Sequence, residues 1–311
     1  GECDTVSHPM NTEHPNTLNH PHPQLDRYRS FGASVADGIT RFRFFCPGAD
    51  SVLVRLHPEI EAEPELEIPL EVDENGVWSG QTGQDLTGWW YVYLVDGEHA
   101  YADPFSRQVT VDGSYRMNPR TRIVSSRFEW GDQDWTTPSD PRDLVIYECH
   151  VKDMVVLAEG SGEGAYQKWV HSAGERPGDP NGNGAGSQMP TTGGIAHLKA
   201  LGVNAVELLP LAKFAQREPP YRIRTPEGFY NDWNRYEANH WGYMTSFFLA
   251  PESYYASDAN HESGWLGYSD AAIQELKALV DTCHRHGLTV IMDVVYNHSS
   301  IFDINILNDY L

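Results

Sequence analysis

The chain has 311 residues, a length for about two domains with ample buried core. Its 44 acidic residues against 22 Lys and Arg give a formal charge of −22, which excludes bulk electrostatic attraction to nucleic acid or to an anionic membrane surface. No apolar run approaches the roughly 18 residues that a membrane-spanning helix needs.

Five of the basic residues are Lys and seventeen are Arg, a balance that resembles proteins of salt-loving organisms. Cys3, Cys46, Cys149 and Cys283 lie far apart, without the close Cys or His spacing of a zinc site. The last three read as small buried hydrophobes.

Residues 1–27 are rich in His, Pro and Asn, with His8, His14, His20 and His22 set among prolines and almost nothing apolar. A disordered or extended arm is expected, its histidines spread by the prolines instead of converging on a metal. The absence of a starting Met, together with this arm, favours a secreted or periplasmic location over the cytoplasm. Residues 28–115 consist of short β-like runs, at 40–45, 51–56 and 89–95, separated by turn chemistry such as Asp73-Glu74-Asn75-Gly76 and Asp96-Gly97. That spacing predicts a β-sandwich. Within it, residues 59–73 alternate acidic and apolar side chains around Pro64 and Pro69 and read as an edge strand. Trp78, Trp89 and Trp90 offer broad apolar faces for stacking on a ligand or for the sandwich core, and strand alternation sends the adjacent pair to opposite faces.

Residues 116–142 read as a linker. From 143 to 311 strands alternate with helices. Strands are expected at 144–150, 203–208 and 288–295, with helices around 195–201, stopped by Gly202, and over 270–286, stopped by Gly287. The strands read as apolar on both faces, the pattern of a covered parallel sheet. In such architectures the polar groups at strand C-terminal ends share one rim. Here they are His150 with Asp153, Glu207, and the cluster Asp293, Tyr296, Asn297 and His298. The stretch from Asp179 through Asn181 and Asn183 alternates oxygen side chains with glycines, a shape suited to Ca2+ or to a plain flexible loop.

Several strings carry a family resemblance. Asp293-Val294-Val295-Tyr296-Asn297-His298, led in by His286-Gly287, resembles the first signature region of the α-amylase superfamily. Tyr147-Glu148-Cys149-His150-Val151-Lys152-Asp153 and Glu207-Leu208-Leu209-Pro210 are similar to its debranching members of the pullulanase and isoamylase kind. Asn239-His240-Trp241-Gly242-Tyr243 resembles the loop that supplies a sugar-stacking tyrosine, although Met244 and Thr245 depart from the usual continuation. Gly76-Val77-Trp78 and Ala102-Asp103-Pro104-Phe105 look like words of the starch-binding-type module that precedes the barrel in these enzymes.

The resemblance implies an immunoglobulin-like β-sandwich followed by the first three βα units of a TIM (β/α)8 barrel, incomplete in this chain. It implies a retaining glycoside hydrolase that cleaves α-1,6 branch links in glycogen, starch or pullulan. Branching enzymes, trehalose-releasing hydrolases and a non-catalytic glucan-binding protein are the alternatives. The expected partner is an α-glucan, with the remainder of the barrel supplied by further sequence or by another polypeptide. Tyr243 would stack on the sugar, His298 would bond its hydroxyls, Asp293 would orient its neighbours, and Asn297 sits where relatives place a calcium ligand. No catalytic residue is expected in this chain: the family's catalytic carboxyls follow its fourth, fifth and seventh strands. The reaction needs no cofactor, and Ca2+ is the one ion for which the sequence offers ligands, at Asp179, Asn181, Asn183 and Asn297.

Overall fold

The computed structural model describes residues 31–97, 99–112, 119–125, 127–131, 137–156, 164–174, 193–215, 223–225, 228–230, 239–259 and 264–300. The His-rich arm and the Asp179, Asn181 and Asn183 loop lie outside the described residues.

The first half is a two-sheet sandwich. One sheet has the order β1 (Gly32–Ala36), β2 (Ile39–Phe45), β6 (Val77–Thr82), β5 (Glu71–Val72), all antiparallel. The facing sheet contains β9 (Val109–Asp112), β10 (Arg120–Arg122), β7 (Trp90–Val95), β3 (Val52–His57) and β4 (Leu66–Pro69), with β8 (His99–Tyr101) also paired to β7. Alternation along β2 and β3 buries Phe42, Phe44, Val54 and Leu56 between the sheets. Phe44 stacks on Tyr93 with centroids 4.0 Å apart.

The proline-bearing stretch expected to form one edge strand forms two. β4 is the outer strand of one sheet and β5 of the other, and the chain crosses between them at the buried Leu70. The stretch read as a linker contributes β10, which pairs with both β7 and β9 and places Ile123 in the sandwich core.

The tryptophans divide as alternation requires, but Trp78 and Trp90 are not open sugar platforms. Trp78 is buried, its indole N–H donating to the Cys46 carbonyl at 2.8 Å. Trp90 is buried on the outer face of its sheet, bonded to Thr110 and packed against Tyr268 with centroids 5.0 Å apart. Trp89 packs, half-buried, against the sandwich core.

The second half centres on three parallel strands in the order β11 (Ile146–Cys149), β12 (Ala205–Leu208), β18 (Thr289–Met292). Helices α1 (Ala165–His171), α2 (Gly194–Ala200) and α3 (Ala271–Arg285) share one core with them, built on Trp169, Ile195, Leu198, Val206, Leu208, Leu279 and Cys283. Gly202 and Gly287 take φ of +78° and +69° just past α2 and α3, the left-handed stops expected there. Between β12 and α3 lie β13 (Ala212–Phe214), the pair β14 (Ile223–Thr225) and β15 (Gly228–Tyr230), β16 (Thr245–Pro251) and β17 (Trp265–Leu266). β13 and β16 pair with each other.

The parallel strands are not apolar on both faces. In-register pairing sets Glu148 beside Glu207 and Glu207 beside Ile291 on the face turned away from the helices, while Val206 and Leu208 face the helices. Apolar side chains stand exposed along both outer strands: Val145, Ile146 and Tyr147 at β11, Met292 and Val294 at β18. Among the described residues each outer strand pairs only with β12, and no closed barrel is formed.

β17, from the second half, extends the sandwich sheet by pairing with β9. Gln108 and Thr110 both donate to the Gly267 carbonyl, at 2.9 and 2.6 Å. Gly267 has φ +73°, and a Cβ there would lie 2.4 Å from Ser253 Oγ, so the junction requires glycine.

Candidate functional site

The rim at the C-terminal ends of the parallel strands gathers residues from three places. Asp293 continues β18, its N–H donating to the Leu208 carbonyl at 3.0 Å, so the ladder holds its backbone. It has the same parity as Ile291 and so faces the side that carries Glu148 and Glu207. Tyr243 comes from the loop before β16, and its hydroxyl donates to Asp293 Oδ2 at 2.6 Å. His298 approaches from beyond β18, with Nε2 2.7 Å from the Tyr243 carbonyl oxygen. A carbonyl can only accept, so this contact assigns the ring proton to Nε2 and leaves Nδ1 as an acceptor.

Three of the four expected substrate-binding residues therefore converge: Tyr243, Asp293 and His298. Asn297 is exposed and among the described residues shares no hydrogen bond with them.

The Tyr243 hydroxyl is pushed up to about 12, first by its hydrogen bond to Asp293, then by burial and the negative charges of Asp293, Glu148 and Glu207. It remains a protonated donor throughout the neutral range. Its ring is 37% exposed, which leaves apolar surface beside a carboxylate and an imidazole. A polyhydroxyl ring suits that combination: a C–H face for the aromatic ring and hydroxyls for the polar groups.

β13 and the residues just past β16 are joined by a fully buried ion pair that the sequence reading did not single out. Lys213 Nζ on β13 lies 3.0 Å from Glu252 Oε1 and 2.8 Å from Ser253 Oγ. The other Glu252 oxygen accepts the Phe214 N–H at 3.0 Å, and Oε1 also accepts the Tyr254 N–H at 2.7 Å. The pair thus has the added hydrogen bonds that a buried charge requires. A second tie, from the Ser300 N–H to the Thr245 carbonyl at 2.8 Å, keeps the His298 segment against the start of β16. Glu148 also escaped the sequence reading; the signal for it was its equal offset with Glu207 along matching strands.

The described residues thus form a β-sandwich joined to a parallel βα sheet that carries a Tyr–Asp–His rim. Residues 30–112 match the model of carbohydrate-binding module 48, the isoamylase N-terminal domain.

The chain is homologous to pullulanases and isoamylases. It is 30% identical over 277 residues to the pullulanase of Bacillus subtilis (strain 168), a match that covers 86% of this chain and 33% of that protein. It is 34% identical over 303 residues to isoamylase 3, chloroplastic, of Oryza sativa subsp. japonica, covering 88% and 34%. Among solved structures, apo pullulanase from Paenibacillus barengoltzii superposes with a TM-score of 0.66 at 29% identity, covering 90% of this chain and 39% of that one. The chain spans about a third of the length of the curated relatives it matches.

Proposed function

We propose that this chain is the glucan-binding, barrel-initiating part of an α-1,6-debranching glycoside hydrolase. In this reading the three parallel strands are the first of eight in a (β/α)8 barrel, and residues 28–115 are its carbohydrate-binding module. The observation that carries it is the meeting of Tyr243, Asp293 and His298 at one rim, from separate segments, in the combination that the debranching relatives' signature strings imply.

Tyr243 offers its ring to one sugar, Asp293 holds the tyrosine hydroxyl, and His298 bonds sugar hydroxyls through Nδ1. Retaining hydrolysis requires two carboxyl groups about 5–5.5 Å apart, acting as nucleophile and acid/base. We assign neither role to Glu148, Glu207 or Asp293; both carboxyls come from strands other than these three. Any Ca2+ at Asn297 or in the Asp179, Asn181 and Asn183 loop belongs to the same proposal.

A second reading, a trehalose-releasing hydrolase, is favoured by 29% identity over 264 residues to malto-oligosyltrehalose trehalohydrolase of Arthrobacter ramosus. Reducing-sugar assays of the purified 311-residue chain on pullulan and glycogen test the assignment of the carboxyls. We expect no release; robust turnover would place the catalytic pair inside this chain and overturn it.

A further inference from the structure

At the end of β11, His150, Asp153 and His240 place two imidazoles and a carboxylate together, with one ligand atom of each lying within 4.8 Å of the others. They come from two separate stretches, the turn after β11 and the loop that leads to Tyr243. His150 is buried, and its Nε2 lies 2.8 Å from the His240 carbonyl oxygen and 3.0 Å from the Tyr255 hydroxyl. The carbonyl accepts, so Nε2 carries the proton and Nδ1 keeps its lone pair. A ring N–H on a backbone carbonyl is the usual device that fixes the tautomer of a metal-binding histidine.

Nδ1 accepts long hydrogen bonds from the Lys152 and Asp153 N–H groups, at 3.2 and 3.3 Å, which an ion would displace, and lies 3.8 Å from Asp153 Oδ1. Asp153 Oδ2 is in turn 2.9 Å from His240 Nε2. The two rings stack with centroids 4.3 Å apart. Burial first, then the nearby His240, holds His150 below the ordinary histidine range.

We propose that His150, Asp153 and His240 bind one divalent transition-metal ion of the Zn2+ class, which clamps the end of β11 to the loop carrying Tyr243. Ligands on a tetrahedral Zn2+, bonded at about 2.0–2.1 Å, stand roughly 3.4 Å from one another. Two donor separations, 2.9 Å from His240 Nε2 to Asp153 Oδ2 and 3.8 Å from His150 Nδ1 to Asp153 Oδ1, lie on either side of that value, and the exposed His240 ring must turn out of its stack for both imidazoles to meet one ion. Two imidazoles and one carboxylate suit Zn2+, Ni2+ or Cu2+ and do not suit Ca2+ or Mg2+, which take oxygen ligands. Asp153 and His240 are exposed, which leaves the remaining coordination position to water. His240 stands three residues before Tyr243, so the ion would steady the aromatic ring without touching a sugar.

The test uses the full chain with His8, His14, His20 and His22 replaced by Ala, which removes the arm as a competing chelator. Zn2+ is titrated by calorimetry and Co2+ by visible absorption. One saturable equivalent is expected. Its affinity should fall by more than about 100-fold in His240→Gln and in Asp153→Asn, because each removes a direct ligand and loss of even a supporting partner costs 10–100-fold. Both positions are exposed, and either variant that keeps the parent's circular dichroism decides the question. No saturable equivalent in the arm-substituted chain, or one that survives both substitutions unchanged, overturns the proposal.

Discussion

The sandwich and the parallel sheet solve the same burial problem to different degrees. The sandwich closes an aromatic core between two sheets and covers the outer face of Trp90 with Tyr268 from the other half. The parallel sheet is covered on one face by three helices, while its outer strands leave Ile146 49% and Met292 46% exposed. An antiparallel sandwich completes itself from hairpins, whereas parallel strands need successive crossovers before both edges and both faces are covered. Polar chemistry follows the same division. The sandwich buries one carboxyl, Asp103, between its strands, and the parallel half carries Glu148, Glu207 and Asp293 on the uncovered side of its strands.

The comparison breaks most sharply at the buried ion pair. Glu252→Gln leaves Lys213 charged, buried and unpaired, and should destabilise the second half by about 3–5 kcal/mol. Urea unfolding followed by far-UV circular dichroism should then show an early transition for that half, with the sandwich melting later. A single unshifted transition would mean that the pair contributes little to the stability of the second half.

Next in size is the buried carboxyl of the sandwich. Asp103 accepts from the Tyr91 and Tyr93 hydroxyls and the Phe105 N–H, but burial outweighs these bonds and raises it to about 6. A carboxyl raised above its unfolded value stabilises the fold when protonated. Its contribution is therefore fully present below about pH 4 and is lost as pH rises through 6, by on the order of 3 kcal/mol. The difference in urea midpoint between the parent and Asp103→Asn, measured from pH 4 to 8, should track that loss and level off above pH 7. A pH-independent difference would contradict it.

The smallest effect lies at the seam between the regions. Gly267→Ala forces a side chain into left-handed backbone against Ser253 and should cost about 1–3 kcal/mol. Limited proteolysis should detect it as faster cleavage near β17, with the two cores intact.

Much of this division was legible in the sequence because it rests on periodicity. Ile273, Leu279 and Cys283 fall on the buried face of α3, and the strands expected at 144–150, 203–208 and 288–295 all form. The Tyr243, Asp293 and His298 cluster was legible through its signature strings. Long-range pairing was not. Nothing local marks β17 as a strand of the sandwich, since Trp265 and Leu266 pair with residues some 150 positions earlier. Lys213 and Glu252, 39 residues apart, carry no local signal of burial, and only the antiparallel pairing of β13 with β16 brings them together. His240 read as one letter of an aromatic motif until the loop folded back onto Asp153. Trp89 and Trp90 show the converse: strand alternation divided the adjacent pair correctly, yet could not say that Tyr268 would occupy the face left to Trp90.

The proposed function places sugar recognition at the Tyr243 rim and not on the sandwich tryptophans. Calorimetric titration with maltoheptaose of the parent, Tyr243→Ala and Trp89→Ala tests it most directly. The account predicts that Tyr243→Ala weakens binding by about tenfold or more, near 1.4 kcal/mol, while Trp89→Ala leaves it unchanged. Undiminished binding by Tyr243→Ala, with loss confined to Trp89→Ala, would contradict it.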